Sequence, residues 1–214
     1  VAANERSANE PNLILRGKKI NHQYSKSYEF EKDFRGYVKK YLTQNINYFS
    51  VLRPLYEIQI AKIAAKFPEN LAVTRSCNVN MRKNSWCGKC PKCLSVFLLL
   101  FPFFETEKLV KMFCGNLLND KKLWRYIPEF VDKNKQKPFE CVATKKENAV
   151  ALTLGEEKAG RKMPYILKRF HELRAGKTIR EQEIEKIMRS WNNKNFLPPK
   201  TEVILKSWIK NNHK

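Results

Sequence analysis

Apolar residues recur at helical spacing early in the chain and again through its second half, with short extended runs between. Phe30, Phe34, Tyr37, Val38 and Leu42 share one helical face and predict a helix there. From Leu55 to Phe67 the apolar positions 55, 58, 60, 61, 63, 64 and 67 form the stripe of an amphipathic helix. The intervening runs are too short for helices. Val1-Ala2-Ala3 reads as the end of a buried strand, and Phe49 to Leu52 as a short strand closed by Pro54. Leu13-Ile14-Leu15 leads to a turn at Gly17, and Leu71-Ala72-Val73 reads as a strand feeding a group of cysteines. Strand, helix and strand in this order predict an α/β unit.

The longest apolar run, Leu94 to Phe104, is too short to span a bilayer and is broken by Pro102, so a buried element is expected. From about Glu105 the pattern becomes helical: Glu107 to Leu118, Leu123 to Phe130, Lys145 to Leu154, Tyr165 to Leu173, and Arg180 to Trp191. Pro198-Pro199 stops that series, and Val203 to Lys210 predicts a last short helix. The expected division is therefore an α/β region over 1–104 and a helical region over 105–214. The chain opens on Val1 rather than Met, and the expectation is a C-terminal part of a longer protein that begins inside a domain.

Composition changes this picture little. A hydrophobic content of 43% is that of a globular chain. The formal charge of +21 invites a nucleic-acid partner, but the excess is spread along the chain, is mostly lysine, and forms no dense basic block. It favours anionic ligands in general, and specific nucleic-acid binding is not expected. No secretory leader and no membrane span are read, and thiols without a secretory signal suit the reducing cytoplasm.

Candidate chemistry concentrates in SCNVNMRKNSWCGKCPKCLSVF. Cys77, Cys87, Cys90 and Cys93 provide two overlapping C-x-x-C steps and a fourth thiol upstream. Zn²⁺ takes four thiolates at about 2.3 Å, and two-residue gaps let successive sulfurs converge on one ion. An iron–sulfur cluster also accepts four cysteines, and a disulfide pair is the plain alternative. With all four ligands supplied by protein, the expected role is structural.

Three segments then resemble a known family. ANERSANEPN with NHQYSKSYEFE, the cysteine segment running on to FLLLFPF, and KPFECVATKKE are similar, in order, to the UDP-N-acetylmuramoyl-L-alanyl-L-glutamate epimerase family of MurL type. The cysteine loop and the PLYEIQIAKIAAKFP helix also resemble the 7-cyano-7-deazaguanine synthase branch of the PP-loop ATP pyrophosphatases. The resemblance implies the C-terminal part of a PP-loop (HUP-like) three-layer α/β domain with a four-cysteine zinc loop, followed by a mainly helical region. It implies ATP-dependent inversion of the terminal L-glutamate of UDP-MurNAc-L-Ala-L-Glu in peptidoglycan precursor synthesis, with Mg²⁺ and an adenylated α-carboxylate. The S-G-G-x-D-S phosphate loop of PP-loop enzymes is absent from these 214 residues and lies upstream in the family, so this chain alone is expected to be inactive.

On that resemblance Asn4, Glu5, Arg6 and Ser7 sit in the first motif at a strand's end, where ligands gather in open sheets. Arg6 can clamp an anion and Glu5 can carry Mg²⁺ or a proton; an ordinary polar turn is the alternative. Asn21, His22, Ser25 and Lys26 form a polar cluster in which His22 can move protons and Lys26 can offset phosphate charge. Arg75 is placed to face the nucleotide or to pair with an acid. Cys141 follows an apolar pair outside the zinc set and is a candidate base for Cα–H abstraction, with Glu140 an equal candidate and Lys137 a carboxylate-binding one. A buried cysteine is more often a small hydrophobe, and Cys114 is expected in a helix core. The competing functions are a PP-loop enzyme modifying a nucleobase or tRNA, and a non-catalytic zinc-bearing module. Oligomeric state is left open.

Overall fold

The computed structural model describes residues 1–174 and 179–212. A hairpin of β1 (Leu13–Leu15) and β2 (Lys18–Ile20) pairs Leu13 with Ile20 and turns at Gly17, whose φ of 77° is left-handed. Helices follow: α1 (Tyr28–Tyr37), α2 (Glu57–Ala64), α3 (Pro68–Val73), α4 (Pro91–Leu100), α5 (Thr106–Phe113), α6 (Ile127–Val131), α7 (Lys145–Ala159), α8 (Tyr165–Leu173), α9 (Glu181–Met188) and α10 (Pro199–Asn212). The protein is thus mixed α/β and mostly helical. No helix among the described residues is long and apolar enough to cross a membrane.

Two predicted strands survive only as a single parallel bridge. Ala2 bridges Ser50, with Ala2 N–H donating to Phe49 O and Val51 N–H to Ala2 O, each at 2.8 Å. The third is corrected outright: Leu71-Ala72-Val73 closes α3. Pro68 sits in that helix's first turn, Glu69 suits its positive end, and Leu71 alone faces the core. An apolar triplet cannot distinguish strand from helix, and among the described residues no neighbouring strand pairs it.

The helical predictions fare better, with boundaries moved by local chemistry. The 55–67 stripe becomes α2, whose first backbone N–H groups are held by polar side chains. α5 stops at Phe113 because Cys114 turns left-handed at φ 57°; Cys114 is exposed rather than in a helix core. Pro128 in its first turn starts α6 after the 3₁₀ turn Lys121–Tyr126.

α4 is the central element. Cys93, Leu94, Phe97, Leu98, Leu99 and Leu100 are all buried on it, which accounts for the apolar run. It packs on α2, α5 and α7, and α7 in turn packs on α6 and α8. Gly155 on α7 permits the close approach, since a Cβ there would lie 3.3 Å from Phe101 and 3.4 Å from Leu167. One hydrophobic core runs from Ile58 to Ile187. The N-terminal loops and the segment before α7 lie against it, and that arrangement forms the site.

Candidate active site and metal centre

The four cysteines converge. Cys77 follows α3, Cys87 precedes Gly88 at a left-handed φ of 67°, Cys90 caps α4, and Cys93 lies in its first turn. All four sulfurs lie within 4.8 Å of one another, with Cys93 at 3.6 Å from Cys87 and 3.4 Å from Cys90. Four sulfurs around one ion at Zn–S distances of about 2.3 Å stand about 3.8 Å apart, so the set fits a single tetrahedral ion. In an iron–sulfur cluster the four thiolates are shared among two or more irons and do not all converge on one, so sulfurs this close together favour a single ion. Backbone N–H groups of Lys89 and Cys93 donate to Cys87 and Cys90 sulfurs at 3.4 Å each. The sulfur–sulfur contact between Cys90 and Cys93 brings Cys90 down to about 5, while the same contact and then burial push Cys93 up. Thiols bind a metal ion as thiolates, so an ion held by this set would draw their protons off.

A second constellation joins the N-terminal loops to the segment before α7. Lys26 Nζ donates to Cys141 Sγ at 3.3 Å, and His22 Nε2 lies 4.0 Å from the same sulfur. Asn12, almost fully buried, accepts at Oδ1 from the His22 backbone N–H at 3.0 Å and contacts His22 Nδ1 at 2.9 Å. Its amide nitrogen donates to Pro138 O at 2.6 Å. Burial and then Lys137 lower the pKa of His22, with Glu140 opposing and Lys26 and Lys92 adding to the fall. Glu140 accepts from Asn78 Nδ2 at 2.7 Å, which ties this site to the cysteine loop.

Of the residues picked from sequence, the structure brings His22, Lys26, Cys141 and Glu140 together. Lys137 is buried and spends its charge on Glu10 at 3.1 Å. Asn21 is a loop brace, donating to Ala8 O and accepting from Gln23 N–H. Ser25 is exposed beside it. Asn4 donates to Ser50 Oγ at 3.2 Å. Arg6 stacks on the Tyr56 ring at 4.2 Å and reaches Ser190 Oγ at 3.4 Å. Ser7 is buried, donating to Glu147, which also accepts from Thr144 and from Ile58 N–H. Arg75 lies apart from Cys141; it donates to the carbonyls of Ala72 and Thr74 and lines a 240 Å³ cleft beside the cysteine loop.

Several functional-looking residues were missed. Arg53 is fully buried, paired with Glu31 at 3.0 Å, and donates to the carbonyls of Glu5 at 2.9 Å and Lys26 at 2.7 Å. It thereby fixes both site loops with one side chain. Glu57, at the first turn of α2, has its pKa raised to about 8 by burial, then by Glu5 and Glu147. Lys92, between two of the cysteines, acts electrostatically on both His22 and Glu57. The only sequence signals were the position of Asn12 inside the first motif and of Lys92 inside the cysteine loop.

The comparisons bear on the same segments. The profile described as the MurL N-terminal domain matches residues 1–51, and that described as the MurL C-terminal domain matches residues 73–185, over half of the 214 residues. The chain belongs to the MurL family. The MurL N-terminal match carries Asn12, His22 and Lys26, and the C-terminal match carries the cysteines and Cys141, so the site is assembled from both. Among curated relatives, a protein of Salinispora tropica is 40% identical over 171 residues, 78% of this chain and 37% of its own length. One from Micromonospora sp. is 39% identical over 78% of this chain and 38% of its own length. One from Xanthomonas oryzae pv. oryzae is 37% identical over 79% of this chain and 39% of its own length. All three are named UDP-N-acetyl-alpha-D-muramoyl-L-alanyl-L-glutamate epimerase. The chain spans less than two fifths of the length of these MurL relatives. No solved structure matches it.

Proposed function

We propose that this chain is the part of an ATP-dependent epimerase that carries the Cα proton chemistry, inverting the terminal L-glutamate of UDP-MurNAc-L-Ala-L-Glu in peptidoglycan precursor synthesis. The reading rests on one observation: in a member of this family, a half-buried thiol accepts a hydrogen bond from Lys26 and faces the ring of His22. A free α-carboxylate leaves its Cα–H with little acidity. Converting it to an acyl adenylate, with release of pyrophosphate from ATP, removes that charge and gives the developing carbanion an electron sink. Cys141 as thiolate takes the proton, with the Lys26 ammonium stabilising the sulfur charge, and a protein acid on the opposite side returns one. Glu140, Glu5 and the high-pKa Glu57 are the carboxyl groups at hand.

In this reading residues 1–104 are the rim of a three-layer, PP-loop nucleotide-activating domain, and 105–214 the helical region that brings Cys141 to it. Asn4, Arg6, Asn21, Ser25 and Arg75 are the proposed contacts to nucleotide and substrate anions. The cysteine set holds Zn²⁺ and supplies rigidity; the four soft donors at tetrahedral spacing support that choice. Among the described residues it is also the one set close enough to share an ion, so Mg²⁺ enters with the phosphates of ATP and no step depends on a site for it here. The working compartment is the cytoplasm, where the nucleotide-linked precursor and ATP coexist.

The test uses the full-length enzyme in D₂O with UDP-MurNAc-L-Ala-L-Glu, ATP and Mg²⁺. Wild type should incorporate deuterium at the glutamyl Cα as D-glutamate appears, and Cys141→Ser should lower both by at least about a hundredfold. Exchange continuing at the wild-type rate in that variant removes Cys141 from the role. A wild-type enzyme that leaves the dipeptide unchanged removes the function.

A further inference from the structure

We propose that Cys141, His22 and Asn12 form a proton relay, with Asn12 as the positioning residue that holds His22 in the one tautomer able to accept the thiol proton. The direction of the Asn12 amide is not arbitrary. Its nitrogen donates to Pro138 O at 2.6 Å, so its oxygen must face His22. That oxygen already accepts the His22 backbone N–H at 3.0 Å and lies 2.9 Å from Nδ1. An oxygen without hydrogens requires a donor opposite it, so Nδ1 carries the ring proton. Nε2 is left with its lone pair, 4.0 Å from Cys141 Sγ. Asn12 also ties the two halves of the site together, since Pro138 is on the segment that carries Cys141.

The groups facing the relay come from each packed element. Lys26 donates to the sulfur, Lys137 and Lys92 act on the ring from the segment before Cys141 and from α4, and Glu140 opposes them. Burial first, and then these cations, favour a neutral imidazole, which is the form that can receive a proton, and the Lys26 ammonium stands 3.3 Å from the sulfur. Asn12 and Phe139 cover part of the His22 ring while the rest of the residue stays open to solvent. The sequence of transfers is balanced. As the glutamyl C–H bond breaks, its proton joins the Cys141 sulfur and its electron pair stays on the activated glutamyl unit. The sulfur proton then passes to His22 Nε2 and from there to water, and the thiolate is restored with no other reactant. The role in epimerisation rests on the proposed function. The reactivity of the thiol does not.

Iodoacetamide applied to the 214-residue chain at pH 7 separates the two. Peptide mass spectrometry would read the alkylation rate of Cys141 against exposed Cys114 in the same molecule. Cys141 should react at least about tenfold faster. Asn12→Ala and His22→Gln should bring the ratio to within about twofold of one, whereas Asn12→Asp, which can still accept from Nδ1 but loses the donation to Pro138 O, should keep a measurable part of the advantage. The wild-type ratio should also shrink towards pH 9.5, where an ordinary thiol with a pKa of about 8.5 is ionised unaided, while the His22→Gln ratio stays flat. A merely structural Asn12 would move neither the pH profile nor its rescue. If Asn12→Ala fails to fold, His22→Gln and Asn12→Asp decide. The relay is overturned if wild-type Cys141 reacts no faster than Cys114, or if His22→Gln leaves the ratio unchanged.

Discussion

Single residues do different work here from what their types suggest. Cys141, His22 and Lys26 were legible because a polar cluster and an extra cysteine have little reason to exist as core. Asn12 and Arg53 were not, because an asparagine before a hairpin and an arginine after an apolar run look like solvated turn residues. Only the folded chain shows that both are buried and donate to backbone carbonyls of the segments that form the site. Glu57 is the titratable counterpart. Its pKa is raised from 4.5 to about 8 by burial and by Glu5 and Glu147, so between those values the native state keeps a proton that the unfolded chain has lost. Stability from this group is therefore complete below pH 4.5 and declines as pH climbs through about 8. Glu57→Gln has no charge to desolvate. The variant's melting temperature relative to wild type should rise from pH 5 to about pH 8 and level off above it, and an offset that stays constant from pH 5 to pH 8 contradicts the assignment.

At the level of elements, periodicity located helices well and strands poorly, for a physical reason. A helix buries its own backbone hydrogen bonds and writes a pattern over ten or more residues. A three-residue strand is defined by its partner, so 1–3 and 49–52 were placed as extended but reduce to one bridge, and 71–73 became α3. The cysteine loop is the element that could be read in full, because ligand spacing is a local constraint. It starts α4 at Cys90, buries Trp86 against Phe113 at 4.5 Å between rings, and presents Asn78 to Glu140. Its stability thus underlies both the helix at the core and one wall of the site. Metal analysis should find about one zinc per chain, and chelation or Cys90→Ala should lower the melting temperature sharply and abolish the fast alkylation of Cys141, since apparent binding energies of structural zinc reach about 10–16 kcal/mol in small peptides. Cys90→Ala that melts like wild type would contradict a structural metal centre.

For the whole molecule the open question is what a charge of +21 is for. Three of its 21 acidic residues, Glu31, Glu147 and Glu156, are almost fully buried, and Glu31 and Glu156 pair with Arg53 and Arg174. Arg53 and Lys137 are buried as well, so burial nearly cancels in charge and the outer surface keeps the cationic excess of the sequence. A cleft of about 860 Å³ beside β1 is lined by Lys133, Lys135, Lys145 and Lys146. Such a surface attracts any polyanion, and attraction alone does not separate an enzyme of a nucleotide-linked peptide from one that modifies tRNA. The distinction lies in what persists when counterions are abundant. Contacts to phosphate alone weaken steeply with salt, by about 10³ or more between 50 and 200 mM for six or more phosphates, whereas base or shape recognition leaves a preference for one RNA over other polyanions. Filter binding should show tRNA bound at low salt, displaced equally by heparin, and lost by about 200 mM salt. A tRNA preference that survives that salt in the presence of heparin would favour the nucleic-acid reading over the epimerase, because a lysine surface spread this evenly has no other means of telling one polyanion from another.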